Sequence, residues 1–258
     1  MTAAYCPAIM SASLGIEVFY EDLEYLARKL SATQNPTAEQ LLQAAEHVHY
    51  LCESVGIEII GLQPFLFYEG LVDRRKHGQL IEKMELWLQL AQKLGTDTIQ
   101  IPVNFLPDQL TGDYGTIAFD LREVADMGAK EDPPVRFAYE NLCWSTHIDT
   151  WEKVWDICKR VGRPNFGTTP DAEADLQASL QAMTREVDVN KVFYIQIVDA
   201  ERMLTPLAII HELGYKGWVS MELFSRTMSM QGLKVPAQHS ARGITAWRKL
   251  EQRLGLNQ

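Results

Sequence analysis

Four polar residues stand where apolar, strand-like runs end. Glu140 closes VRFAYE, Gln196 lies within VFYIQIVDA, Glu222 lies within WVSMELF, and Asp171 follows NFG through TTPD. A carboxylate at the C-terminal end of a buried strand is out of place as core. In a parallel α/β barrel, catalytic groups and metal ligands sit at that end. Period-two alternation puts Trp218, Ser220 and Glu222 on one face and Val219, Met221 and Leu223 on the other, so Glu222 is expected to point inward. Carboxylates that converge repel one another, and a divalent cation removes that cost. An all-oxygen set suits Mg2+ or Mn2+ better than Zn2+. Each acid also has a plainer reading as the partner of an Arg or Lys at a strand end. Asp171 has a second one, as a helix N-cap in TTPDAE.

Further polar residues lie close by in sequence. Trp144 and His147 follow Glu140 within one loop; Trp144 is a candidate substrate contact and His147 a candidate acid–base group. A loop histidine is also an ordinary surface residue. Asn104, after the run TIQIPV, is a candidate substrate contact with capping as its alternative. Arg74 precedes a long helix and could take a substrate carboxylate in two hydrogen bonds, or merely solvate the helix start.

These residues require an alternating scaffold. Strands are predicted near 8–14, 16–20, 57–65, 98–103, 135–140, 165–167, 192–198 and 218–224. Helices are predicted near 22–30, 38–55, 73–94, 114–127, 151–161, 174–187, 204–213 and 238–254. Thr37 with Gln40 forms a capping-box pattern, and Gly95 and Gly162 stop helices. About eight strands alternating with helices in roughly 250 residues point to a single (β/α)8 TIM barrel domain over 1–258. No GxGxxG follows the first strand, which weakens a doubly wound dinucleotide-binding sheet. One joint breaks the pattern. Gly15 alone separates the first two strand candidates, whereas parallel neighbours need a crossover of about a dozen residues. Either the two segments are one bent strand, or the first crossover helix is missing. A groove near Ile9 and Val18 would then lie uncovered, which favours self-association into a homo-oligomer.

The 258 residues carry a net charge of −10 and are 47% hydrophobic. An acidic chain with no basic stripe argues against nucleic acid and suits a small-molecule substrate. Four cysteines without CxxC spacing point to a reducing, cytoplasmic compartment. No apolar run approaches the roughly 20 residues of a membrane span.

The motifs FAYENLCWSTHIDTWEKVWDICKRVGRPNFG, KVFYIQIVDAERM and GYKGWVSMELFSRTM resemble those of fungal 3-dehydroshikimate dehydratases, as do TDTIQIPVNFLP and GIEVFYEDLEYLAR. These enzymes belong to the xylose isomerase-like (sugar phosphate isomerase/epimerase) barrels. The resemblance implies a divalent-metal hydro-lyase that converts 3-dehydroshikimate to protocatechuate in quinate and shikimate catabolism. The family's metal-binding Glu of the YE motif falls on Glu140, its Gln on Gln196 and its last Glu on Glu222. An ungapped alignment puts the metal Asp on Asp171, whereas a gapped one leaves it missing. The chain departs from the family near Gly15, Gly167 and Met203, each time by being shorter. Those departures keep two other expectations open, a sugar isomerase or epimerase of the same superfamily and a catalytically impaired binding paralogue.

Overall fold

The computed structural model describes residues 6–7, 14–169, 182–183, 185–197, 214–221 and 234–254. These residues form two compact units, 16–169 and, separately, 1–15 with 170–258.

The larger unit is built on a five-stranded sheet in the order β2-β3-β4-β5-β6. Its strands are β2 (Leu14–Phe19), β3 (Ile57–Gln63), β4 (Thr98–Pro102), β5 (Arg136–Glu140) and β6 (Phe166–Thr169). The pairings from β3 to β6 are parallel. The helices are α1 (Tyr20–Ser31), α2 (Ala38–Ser54), α3 (Arg74–Leu94), α4 (Tyr114–Gly128) and α5 (Trp151–Val161).

Local chemistry sets the helix ends where the sequence signals them. Thr37 accepts from the Gln40 N–H while the Gln40 side chain accepts from the Thr37 N–H, a closed capping box. Asp73, Asp113 and Thr150 cap α3, α4 and α5 through N–H groups two or three residues on. Gly95 ends α3 at φ 73°, and an added Cβ there would lie 2.7 Å from the His49 ring. Only glycine meets both demands.

Helix periodicity buries one face of each helix against the sheet. Met84, Trp87, Leu88, Ala91 and Leu94 of α3 are all essentially inaccessible, as are Val154, Ile157 and Val161 of α5. Trp87 stacks on Tyr20 at 4.9 Å and meets the edge of Phe65 at 5.0 Å, which locks α1, the segment just after β3 and α3 together.

The second unit holds a three-stranded sheet in the order β1-β8-β7, parallel throughout. Its strands are β1 (Cys6–Pro7), β7 (Tyr194–Ile197) and β8 (Trp218–Met221). A closing helix, α6 (Val235–Leu254), buries Trp247.

The short joint has a definite form. Gly15 lies inside β2, so Leu14 and Ile16 belong to one strand rather than two. The expected uncovered surface falls on Ile16 and Phe19, 37% and 39% exposed, whereas Val18 is buried; Ile9 is outside the described residues. Gly167 lies within β6, and Met203 is outside the described residues.

Candidate active site

The pairings from β3 to β6 are parallel, as are those of β8 with β1 and β7, so within each of these sets the strand C-termini share one edge. In the larger unit the register aligns Pro102 with Glu140 and Glu140 with Thr169. Phe137 and Tyr139 occupy one face of β5, where Tyr139 packs on Phe166, and Ala138 and Glu140 occupy the other. Glu140 is 7% exposed, and Thr169 beside it is fully buried with no hydrogen-bond partner for its hydroxyl oxygen. The same side of the sheet carries Gln63, whose Nε2 donates to Glu17, and buried Gln100. Hence a polar row lines one face of an otherwise apolar sheet, with Glu140 at its C-terminal edge.

In the other unit Gln196 is almost fully buried and pairs in register with Ser220. Glu222 and Asp171 lie outside the described residues. Among the described residues no three His, Cys, Asp or Glu side chains gather at one point. Of the four expected ligands the described pair is Glu140 and Gln196. Both are buried oxygen donors at or near strand ends, a donor chemistry that fits a hard divalent cation.

The structure uses the other sequence candidates in different ways. Arg74 grips Asp120 of α4 with both terminal nitrogens, at 3.0 and 2.7 Å. Asp120 is wholly buried and also accepts from the Gly70 N–H at 2.9 Å. The Arg74 fork is thus occupied within the protein, and its side chain braces the loop between β3 and α3. Asn104 is buried. Its N–H donates to Glu69 Oε1 at 2.6 Å, its Nδ2 donates to the Glu69 carbonyl at 2.9 Å, and its Oδ1 accepts from the Leu106 N–H at 3.2 Å. One Nδ2 proton is left over. Trp144 is 60% exposed, and half-buried His147 lies against Gly112, where an added Cβ would sit 3.2 Å from Nδ1.

Sequence reasoning missed Glu69. It is 2% exposed, and the Tyr139 hydroxyl donates to the same Oε1 that Asn104 uses, at 2.9 Å. Its Oε2 is buried and has no hydrogen-bond partner. Burial pushes its carboxyl up to about 7 against the hydrogen bonds it accepts, and the nearby Asp120 charge adds to the rise. A signal was available, because Glu69 is the one charge in the apolar run PFLFYEGLV from Pro64 to Val72.

Residues 14–250 match the xylose isomerase-like TIM barrel family, a span that takes in most of both units, and the chain belongs to that family. The fold and the family match therefore agree. The chain is 40% identical over 308 aligned positions to the 3-dehydroshikimate dehydratase of Neurospora crassa, covering 93% of this chain and 86% of that enzyme. The aligned positions outnumber the 258 residues, so the Neurospora enzyme carries segments with no counterpart here. It is also 30% identical to a 3-dehydroshikimate dehydratase of Pseudomonas aeruginosa, over 69% of this chain but only 31% of that longer protein. Among solved structures, the IolI protein with a bound zinc atom superposes with a TM-score of 0.70 at 16% identity, covering 93% of this chain and 87% of IolI. That likeness concerns the fold.

Proposed function

We propose that this chain is a hydro-lyase that dehydrates 3-dehydroshikimate to protocatechuate, with one divalent cation held by Glu140, Gln196, Glu222 and Asp171. The observation that carries the reading is the 40% identity, over 93% of the chain, to the Neurospora dehydratase. Support comes from Glu140, buried at the C-terminal edge of β5, and Gln196, buried in β7. When bound, the ion supplies Lewis-acid polarisation of the substrate ketone.

The chain's own residues do the rest. Glu140 and Gln196 present oxygen donors from rigid strands, so little order is lost when they bind. His147 takes the proton next to the carbonyl on an imidazole nitrogen and returns it to the departing hydroxyl, which leaves as water. One water is lost for each substrate, and aromatisation makes the step irreversible. Trp144 offers an exposed ring to a flat product, and the spare Nδ2 proton of Asn104 a hydrogen bond to a substrate oxygen. Arg74 is given no substrate role in this reading, because its two terminal nitrogens are engaged by Asp120. Among the described residues no helix is long and apolar enough to cross a membrane.

The test is direct. The protein is mixed with Mn2+ and 3-dehydroshikimate, and formation of the catechol chromophore is followed. Product from wild type is expected, and none from Glu140→Gln. Saturable substrate binding without product refutes the lyase reading and favours a binding paralogue.

A further inference from the structure

Glu69 is a buried charge that the proposed chemistry leaves without a task. Its Oε1 sits where three chain segments meet. It accepts from the Asn104 N–H beyond β4 and from the Tyr139 hydroxyl on β5, while Glu69 itself belongs to the loop between β3 and α3. Tyr139 is the residue before Glu140. From Asn104 the bonding continues toward His147. The Asn104 carbonyl accepts from the Thr146 N–H at 3.5 Å, and the Leu106 carbonyl accepts from the Thr146 hydroxyl at 2.7 Å. A second route starts at the next residue. The Gly70 carbonyl accepts from the Thr111 N–H at 2.8 Å, and Gly112 is the surface on which the His147 ring rests.

We propose that Glu69 is a positioning residue whose single oxygen, through Tyr139 and Asn104, sets the direction of Glu140 and the seat of His147. This rests on the reading of Glu140 and His147 as the groups that meet the ion and the substrate. A carboxylate that served stability alone needs no shared acceptor atom for two segments next to reacting residues. Glu69 has that geometry: two donors converge on Oε1, and Oε2 has no partner. With its carboxyl near 7, Glu69 is about half protonated at neutral pH, so a neutral amide is a close substitute. Glutamine keeps the accepting oxygen and changes only the oxygen that bonds to nothing.

The experiment compares wild type, Glu69→Gln, Glu69→Ala and Tyr139→Phe in the full chain. Turnover of 3-dehydroshikimate is measured with Mn2+, and the imidazole Cε1–H resonance of His147 is recorded with Mg2+. Glu69→Gln should keep kcat within about threefold of wild type. Glu69→Ala and Tyr139→Phe should lose about tenfold or more in kcat with KM little changed, because misplacing a reacting group costs rate before binding. The His147 resonance should move in Glu69→Ala and stay in place in Glu69→Gln.

An unchanged kcat in Glu69→Ala overturns the proposal. So does a loss confined to KM, a still His147 resonance, or a Glu69→Gln variant as impaired as Glu69→Ala. If Glu69→Ala does not fold, Tyr139→Phe, which removes one oxygen and little volume, decides on the same criteria. If wild type itself makes no protocatechuate, the lyase reading fails, and the His147 resonance alone judges the positioning role.

Discussion

Replacing Glu69 by glutamine should stabilise the protein in a way that depends on pH. The carboxyl is almost completely buried, and its pKa is pushed up from 4.5 to about 7. Burial is the main cause, and the Asp120 charge adds to it. The N–H groups of Asn104 and Glu69 itself and the Tyr139 hydroxyl pull the other way. An acid with a raised folded-state pKa binds its proton more tightly folded than unfolded. Its contribution to stability is therefore whole below 4.5, falls as pH rises toward 7, and is constant above 7. At about 1.4 kcal/mol for each pH unit, the loss amounts to roughly 3 kcal/mol. That is a large share of the roughly 5–15 kcal/mol that holds a typical domain. Glutamine does not titrate, and every other group cancels between the two proteins. Urea unfolding of wild type and Glu69→Gln, followed by circular dichroism at pH 4.5, 6 and 8, reads the difference. The variant should gain on wild type by about 2 kcal/mol by pH 6 and about 3 kcal/mol by pH 8. A gap that does not change with pH would refute the reasoning and place Glu69 in contact with solvent or with a compensating charge.

Three other substitutions probe the frame around the site. Asp120→Ala strands the Arg74 fork and the Gly70 N–H, and should cost about 3 kcal/mol in urea unfolding. Thr37→Ala opens the capping box of α2 and should cost about 1 kcal/mol, a fall of about 2–4 °C in Tm by calorimetry. Gly128→Ala would put a methyl 2.6 Å from Phe137 and 2.7 Å from the Val135 carbonyl oxygen. The backbone oxygen has little room to yield, so the urea midpoint should drop by the equivalent of about 1–3 kcal/mol.

Much of this architecture was legible because its causes are local. The capping box of Thr37 with Gln40 and the stops Gly95 and Gly162 act within a few residues of themselves, and the helices begin and end there. The run RFAYE forms the expected strand and ends on Glu140. What was not legible depends on partners far along the chain. Arg74 looked available in sequence because nothing near it betrays Asp120, 46 residues away. Asn104 looked like a substrate contact or a cap, and most of its bonding goes to Glu69, 35 residues earlier. Glu69 and Tyr139 are 70 residues apart. At Gly15 the sequence left two readings, one bent strand or a missing crossover helix, and Leu14 and Ile16 lie in one strand that runs through the glycine, because one glycine can continue an extended chain but cannot turn it back.

The proposed lyase chemistry is tested most directly by adding metal back. The protein is stripped with a chelator, and protocatechuate formation from 3-dehydroshikimate is followed as Mn2+ is titrated into wild type and Glu140→Gln. Wild type should be silent without metal and recover full turnover at one ion per chain, while Glu140→Gln stays silent at the same concentration. A stripped wild type that still makes protocatechuate, or a Glu140→Gln that recovers alongside it, would contradict the assignment of Glu140 to the reacting centre.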